Sequence, residues 1–179
     1  MDPGIPVLKR SGLALAVSLA VTLGGMERAL AQFDYRPPGS GFQVAFPAPP
    51  RIAQEMLSTR FGNTRSVMAR LERDGGKFYA QYFDYPAPAA NEGAQKLLDG
   101  LRFGRTAKGT VRREQRFELD GHPAQRETVD LNFPARPVIV ALDVLRGLRL
   151  YSIFCIVDRG QEDAPEVRAF IDSFVLLPL

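Results

Sequence analysis

Apolar and polar positions alternate with a period of two along much of this chain, and in one stretch that alternation fills in. Residues 111–119, 122–133, 138–146 and 148–157 read as four consecutive strands. The first pair turns at Asp120-Gly121, a strong hairpin signal because both residues tolerate positive φ. The last pair turns at Arg146-Gly147. Val138, Val140, Leu142 and Val144 lie on one face of the third strand, and Ile139, Ala141 and Leu145 on the other, interrupted by Asp143 alone. Leu150, Phe154 and Ile156 oppose Tyr151, Ile153, Cys155 and Val157 in the same way. A half-exposed strand alternates; a strand covered on both faces does not. These two strands are therefore expected at the centre of an antiparallel sheet, with a layer above and a layer below.

Earlier in the chain the same pattern predicts shorter strands at 42–46, 52–57, 66–73 and 77–85, with prolines at 47, 49 and 50 ending the first. Two helices are predicted. Over 91–103, Ala94, Leu97, Leu98 and Leu101 make one stripe, with Asn91 as N-cap and Gly104 just past the end. Gly93 and Gly100 weaken this helix by about 1 kcal/mol each relative to alanine. The second opens at Asp163 as cap, with Pro165 and Glu166 in its first turn and Val167, Phe170, Ile171 and Phe174 as its stripe. One helix per face would explain the two-sided strands. The expected fold class is α+β: an antiparallel sheet flanked by helices on both faces, an α/β/α sandwich.

The first 31 residues stand apart. Lys9 and Arg10 precede an apolar run, 13–23, and Ala29-Leu30-Ala31 then places small residues where a signal peptidase reads them. An 11-residue run is short for a span of about 30 Å of hydrocarbon. The expectation is an export leader cleaved after Ala31, a periplasmic or secreted location, and a single domain over 32–179. The chain's net charge is +3 among 23 basic and 20 acidic residues. So small a surplus is no signature of nucleic-acid binding. Cys155 is the only cysteine, so no internal disulfide can form.

Several segments together resemble one family. Gly41-Phe42-Gln43-Val44-Ala45-Phe46-Pro47 with Pro50 resembles the opening strand of secreted bacterial PsbP-like domains. Leu119-Asp120-Gly121-His122-Pro123 resembles their central hairpin. Leu150-Tyr151 and a later helix ending Asp172-Ser173-Phe174 resemble their closing strand and helix. The resemblance spans most of 41–176 and implies the fold of PsbP and the Ran-binding Mog proteins, whose members mostly bind proteins or stabilise assemblies. It transfers no catalytic or ligand residue, and a fold alone does not license a function.

Little here points to catalysis. One His and one Cys build no zinc site of the usual kinds, and no cofactor motif is present. Glu162, Asp163 and Glu166 form a local carboxylate cluster, read as helix capping and favourable dipole charge rather than a metal site. His122 reads as an exposed turn residue and Cys155 as a buried, inert thiol. Two patches remain. Arg102, Arg105, Lys108, Arg112, Arg113 and Arg116 crowd six cations into fifteen residues and are the candidate partner-binding surface, for an anionic protein, membrane surface or polymer. Phe78, Tyr79, Tyr82, Phe83 and Tyr85 are read as core and cross-strand pairs. The expected function is an exported, non-enzymatic binding or accessory domain acting on an envelope protein. The alternatives are a periplasmic carrier or sensor of a small apolar or anionic ligand, and a hydrolase with an unrecognised site.

Overall fold

The computed structural model describes residues 32–107 and 109–179. The predicted leader, 1–31, and Lys108 of the basic run lie outside the described residues. Ten strands and two α-helices follow in the order β1 (Phe33–Tyr35), β2 (Phe42–Phe46), β3 (Arg51–Thr59), β4 (Gly62–Arg73), β5 (Gly76–Asp84), α1 (Ala94–Thr106), β6 (Gly109–Leu119), β7 (His122–Leu131), β8 (Val138–Arg146), β9 (Arg149–Val157), α2 (Pro165–Asp172) and β10 (Val175–Leu176). Seven strands form one antiparallel sheet in the order β3-β4-β5-β9-β8-β7-β6, and β1-β2-β10 form a small second sheet. The Asp120-Gly121 turn is as the sequence requires, with φ of 50° and 77°.

The architecture differs from the expected sandwich. Strands hold 54% of the described residues, and the two helices have 13 and 8 residues. Neither helix makes a layer. On the face carrying Leu142, Val144, Tyr151, Ile153 and Cys155, the second layer is the small sheet with α2 beside it. Phe42, Val44 and Phe46 from β2, and Val167, Phe170 and Ile171 from α2, complete one core there. Its rings are in direct contact, with Phe46 and Phe170 centroids 4.8 Å apart and Phe42 and Tyr151 5.4 Å apart. The other face, with Ile139, Ala141, Asp143, Leu145, Leu150 and Ser152, is covered by α1 at one end only. Leu97 and Leu98 pack there on Phe83, Tyr85, Leu145 and Leu150. Beyond α1 the sheet covers itself: Tyr79 stacks on Phe154 at 4.6 Å with rings 10° apart. Two-sided apolarity in β8 and β9 thus has two causes, a mixed layer on one side and short satellite clusters on the other.

The helix ends also shifted. Residues Ala87–Asn91 form a 3-10 turn, and α1 starts after Gly93 without a side-chain cap, leaving Gly104 inside it. The second helix starts after Ala164, and Asp163 makes no capping bond. The small sheet was not predicted because three- and two-residue strands carry no measurable period.

The closure of that small sheet is exacting at Gly41. Its φ is +78°, and a Cβ there would sit 2.5 Å from Leu179 Cδ2 and 3.0 Å from the Tyr151 hydroxyl. Tyr151 donates a 2.9 Å hydrogen bond to the Ser40 carbonyl. Gly41→Ala should therefore lower stability by more than about 1 kcal/mol, read as a lower urea midpoint at unchanged slope.

Candidate functional site

The described residues of the basic run, all but Lys108, are ion-paired. Each described member already has a carboxylate partner. Arg102 meets Glu114 at 2.6 Å, and Arg116 meets Glu114 at 2.7 Å and Asp99 at 2.9 Å. Arg112 sits at the β6 bulge and pairs with Asp130 at 2.5 Å and with Glu162. Hydrogen bonds to these two carboxylates raise the Arg112 value, and Arg112 in turn holds Glu162 below the usual carboxylate range. Arg113 approaches Asp163 at 3.8 Å. Strand alternation and α1 send these side chains to different faces, and sequence spacing alone does not show that.

Arg105 goes inward. It projects from the last turn of α1 onto β7, β8 and β9, with 12% of its side chain exposed. Its Nη1 and Nη2 donate to the two Asp143 oxygens at 2.5 and 2.6 Å, a bidentate fork, and Nη2 donates to Ser152 Oγ at 2.7 Å. Nη1 also reaches Glu127 Oε2 at 3.3 Å. Gln125 Nε2 donates to Asp143 at 3.1 Å and to the Leu98 carbonyl of α1 at 3.2 Å. The strand register explains the cluster. Gln125 lies opposite Asp143, Asp143 opposite Ser152, and Ser152 opposite Gln81, so one polar row crosses four strands. Burial works against the Arg105 charge, but Asp143 and Glu127 outweigh it and the guanidinium is held above its usual value. Burial, aided by Asp143, pushes the Glu127 carboxyl up against the pull of Arg105. Asp143 and Arg105 were each visible in the sequence, one as the charge interrupting an apolar strand and one as part of the basic run; their pairing was not.

The other candidate groups are placed apart. Cys155 is fully buried and burial pushes its thiol up. It lies level with Val140 and hence Thr128, six positions along β7 from His122, or about 20 Å at 3.3 Å per residue. Glu166 pairs with Arg73 at 2.8 Å while Glu162 faces Arg112, so the carboxylate cluster is divided. The aromatic run of β5 is consumed by packing: Phe78, Phe83 and Tyr85 are buried, and Tyr82 meets Phe42 at 5.6 Å.

Two grooves remain. One, of about 720 Å³, lies between β6–β8 and α2, and its Arg113 and Arg126 are answered by Asp163 and Asp172. The other, of about 700 Å³, runs between α1 and the β3–β4 hairpin. Leu57, Phe61, Phe83, Tyr85, Leu97 and Leu101 make it apolar, with Arg60 and Lys96 at its rim. Both cations lean on one carboxylate, Glu92, at 3.7 and 3.6 Å. Gly100 and Gly104 line the helix side, and a Cβ at either would meet nothing within 4 Å. Phe103 stands at the mouth, 77% exposed.

The buried cluster predicts two outcomes. Arg105→Met should cost about 3–5 kcal/mol, because it leaves Asp143 and Glu127 buried without their cation; Asp143→Leu should cost less, since Glu127 still faces Arg105, and the double replacement should recover part of the Arg105→Met loss. Chemical denaturation of the four proteins measures it. Glu127 binds its proton at higher pH in the folded state than in the unfolded state. Its ionised form therefore weakens the fold above the raised value, and that penalty fades as pH falls through it. Glu127→Gln should gain melting temperature relative to the unsubstituted protein at neutral pH, and the gain should shrink as pH falls into the carboxylate range.

No family model and no curated protein sequence matches this chain. Among solved structures it is similar to cyanobacterial PsbP from Synechocystis sp. PCC 6803, with a TM-score of 0.56, 9% sequence identity, and coverage of 85% of this chain and 96% of that one. A Pseudomonas aeruginosa protein of unknown function, described as a putative regulator, aligns over 73% of this chain and 85% of its own at 11% identity, with a TM-score of 0.38, too low to bear on the fold. The chain has a PsbP-like fold.

Proposed function

We propose that this protein is an exported, non-enzymatic binding domain that takes an apolar segment of an envelope protein into the groove between α1 and the β3–β4 hairpin. The observation that carries the reading is the groove itself: apolar walls, two helix glycines that leave it open, and Phe103 exposed at its mouth. Large exposed aromatics beside an apolar depression are the kind of anchor that dominates protein interfaces. The ion-paired basic run supports this shift away from an anionic surface. The PsbP-like fold is compatible with a binding role and supplies no site. A hydrolase reading has no support from the Cys155 and His122 placement.

The groove's volume also falls within the range of small-ligand pockets, so the test separates the two occupants. Gly100→Phe should fill the groove without lowering the melting temperature, since replacing a helix glycine gains up to about 1 kcal/mol. Cross-linking in envelope fractions should then capture a protein with the unsubstituted chain that Gly100→Phe and Phe103→Ser both lose. Equal capture by all three overturns the reading. A small molecule that co-purifies with the unsubstituted protein and is absent from Gly100→Phe replaces it with the carrier.

A further inference from the structure

The seven-stranded sheet has two edges, β3 and β6, and they are built differently. Edge β6 carries Arg112, Arg113, Glu114, Arg116 and Glu118, and its register slips at a bulge between Val111 and Arg113. Charges and bulges are how sheets guard an edge against pairing. Edge β3 is regular over all nine residues, from Arg51 opposite Arg70 to Thr59 opposite Gly62. Ile52 and Met56 are 61% and 69% exposed on it. The hairpin closes through two residues, Arg60-Phe61, so Thr59 and Gly62 are its hydrogen-bonded closing pair. Counting back from them, Ile52, Gln54, Met56 and Ser58 turn their backbone N–H and C=O groups away from β4, to the open edge.

From this edge we infer that a second copy of the chain docks on β3, antiparallel, about a two-fold axis at Gln54, joining two seven-stranded sheets into one. The strand is self-complementary in that register. Ile52 falls opposite the partner's Met56 on both sides of the axis, so the two exposed apolar side chains of each copy cover each other. Gln54 meets the partner's Gln54 at the centre, where two side-chain amides can exchange hydrogen bonds. On the other face Arg51 lies diagonal to the partner's Glu55. Both are exposed and make no ion pair among the described residues. Within the chain, Arg51 is instead opposite Arg70, a like charge that disfavours the isolated edge. Strand addition of this kind needs no pocket: main-chain hydrogen bonds supply attraction and alternate side chains fix register. A two-fold normal to the sheet also places both α1 grooves on one side of the assembly. The pairing does not depend on what those grooves hold.

Sedimentation of the protein as recovered from cells should give the mass of two chains at high concentration, falling to one on dilution. Ile52→Lys should remain a single chain at every concentration while keeping the melting temperature of the dilute protein. Gln115→Lys, on the guarded edge, should still dimerise. Gln54→Cys should form a covalent dimer under mild oxidation, because opposed residues of a hydrogen-bonded pair have Cα atoms about 5.5 Å apart, and buried Cys155 does not compete. Ser58→Cys, set opposite proline at the end of the paired segment, should cross-link far more slowly. A single-chain mass for the unsubstituted protein at all concentrations overturns the inference. So does a dimer that survives Ile52→Lys, or equal cross-linking by Gln54→Cys and Ser58→Cys. Gly100→Phe, which tests the groove, should leave the dimer unchanged.

Discussion

Asp143 sits at the middle of β8 with none of its surface exposed, and a carboxylate there is tolerable only with a matched cation. Arg105 supplies it, and the consequence is geometric as much as energetic. A bidentate fork fixes both the distance and the plane of the guanidinium, so the last turn of α1 has one place to lie. Gln125 adds a second tie, from β7 to the Leu98 carbonyl about two turns earlier on the same helix. Held at these points, α1 cannot slide over the sheet to seal it. It covers Leu145 and Leu150 at one end, leaves the Val129–Ile139 cluster to fend for itself at the other, and holds Gly100, Phe103 and Gly104 along an open groove. The polar row is a registration device in this sense: it trades apolar burial for a unique position.

The two faces of the large sheet then solve the same problem by different means. One acquires a second layer made from the ends of the chain, with β1 and β2 near its start and α2 and β10 near its finish. Arg146 Nη1 donates to the Leu177 carbonyl at 2.7 Å, which ties the late segment to β8, and the Ala45 N–H donates to Ser173 Oγ at 2.9 Å, which joins β2 to the end of α2 within the layer. The other face has short clusters, an aromatic stack at Tyr79 and Phe154, and the Arg105 guanidinium 5.6 Å from the Phe154 ring. Coverage thins toward β3 on both faces, and there Ile52 and Met56 emerge. The open groove and the open edge are neighbours because both lie where the covering layers run out.

The division between sequence and tertiary structure can be drawn at individual residues. Strand existence and hairpin order from β6 to β9 were legible, because period-two patterns and Asp-Gly turns are local and each constrains only its neighbours. The 138–146 strand was bounded correctly for that reason, and Phe42–Phe46 likewise. The stripes Leu97–Leu98 and Val167–Phe170–Ile171 were legible as buried helix faces. The sandwich was not a sound step from these, since an apolar residue at 140 or 154 records that something covers it and not whether the cover is helix, sheet or a neighbouring ring. Strands β1 and β10 are invisible to periodicity for their brevity, so the sheet they make with β2 was not legible. Above all, the sequence displayed Asp143 as a charge in need of a partner and Arg105 as one cation among six, 38 residues away. Only the packing of α1 across β7–β9 chose which arginine turns inward, because side-chain direction on a helix depends on where the helix rests, and that is settled by contacts remote in the chain.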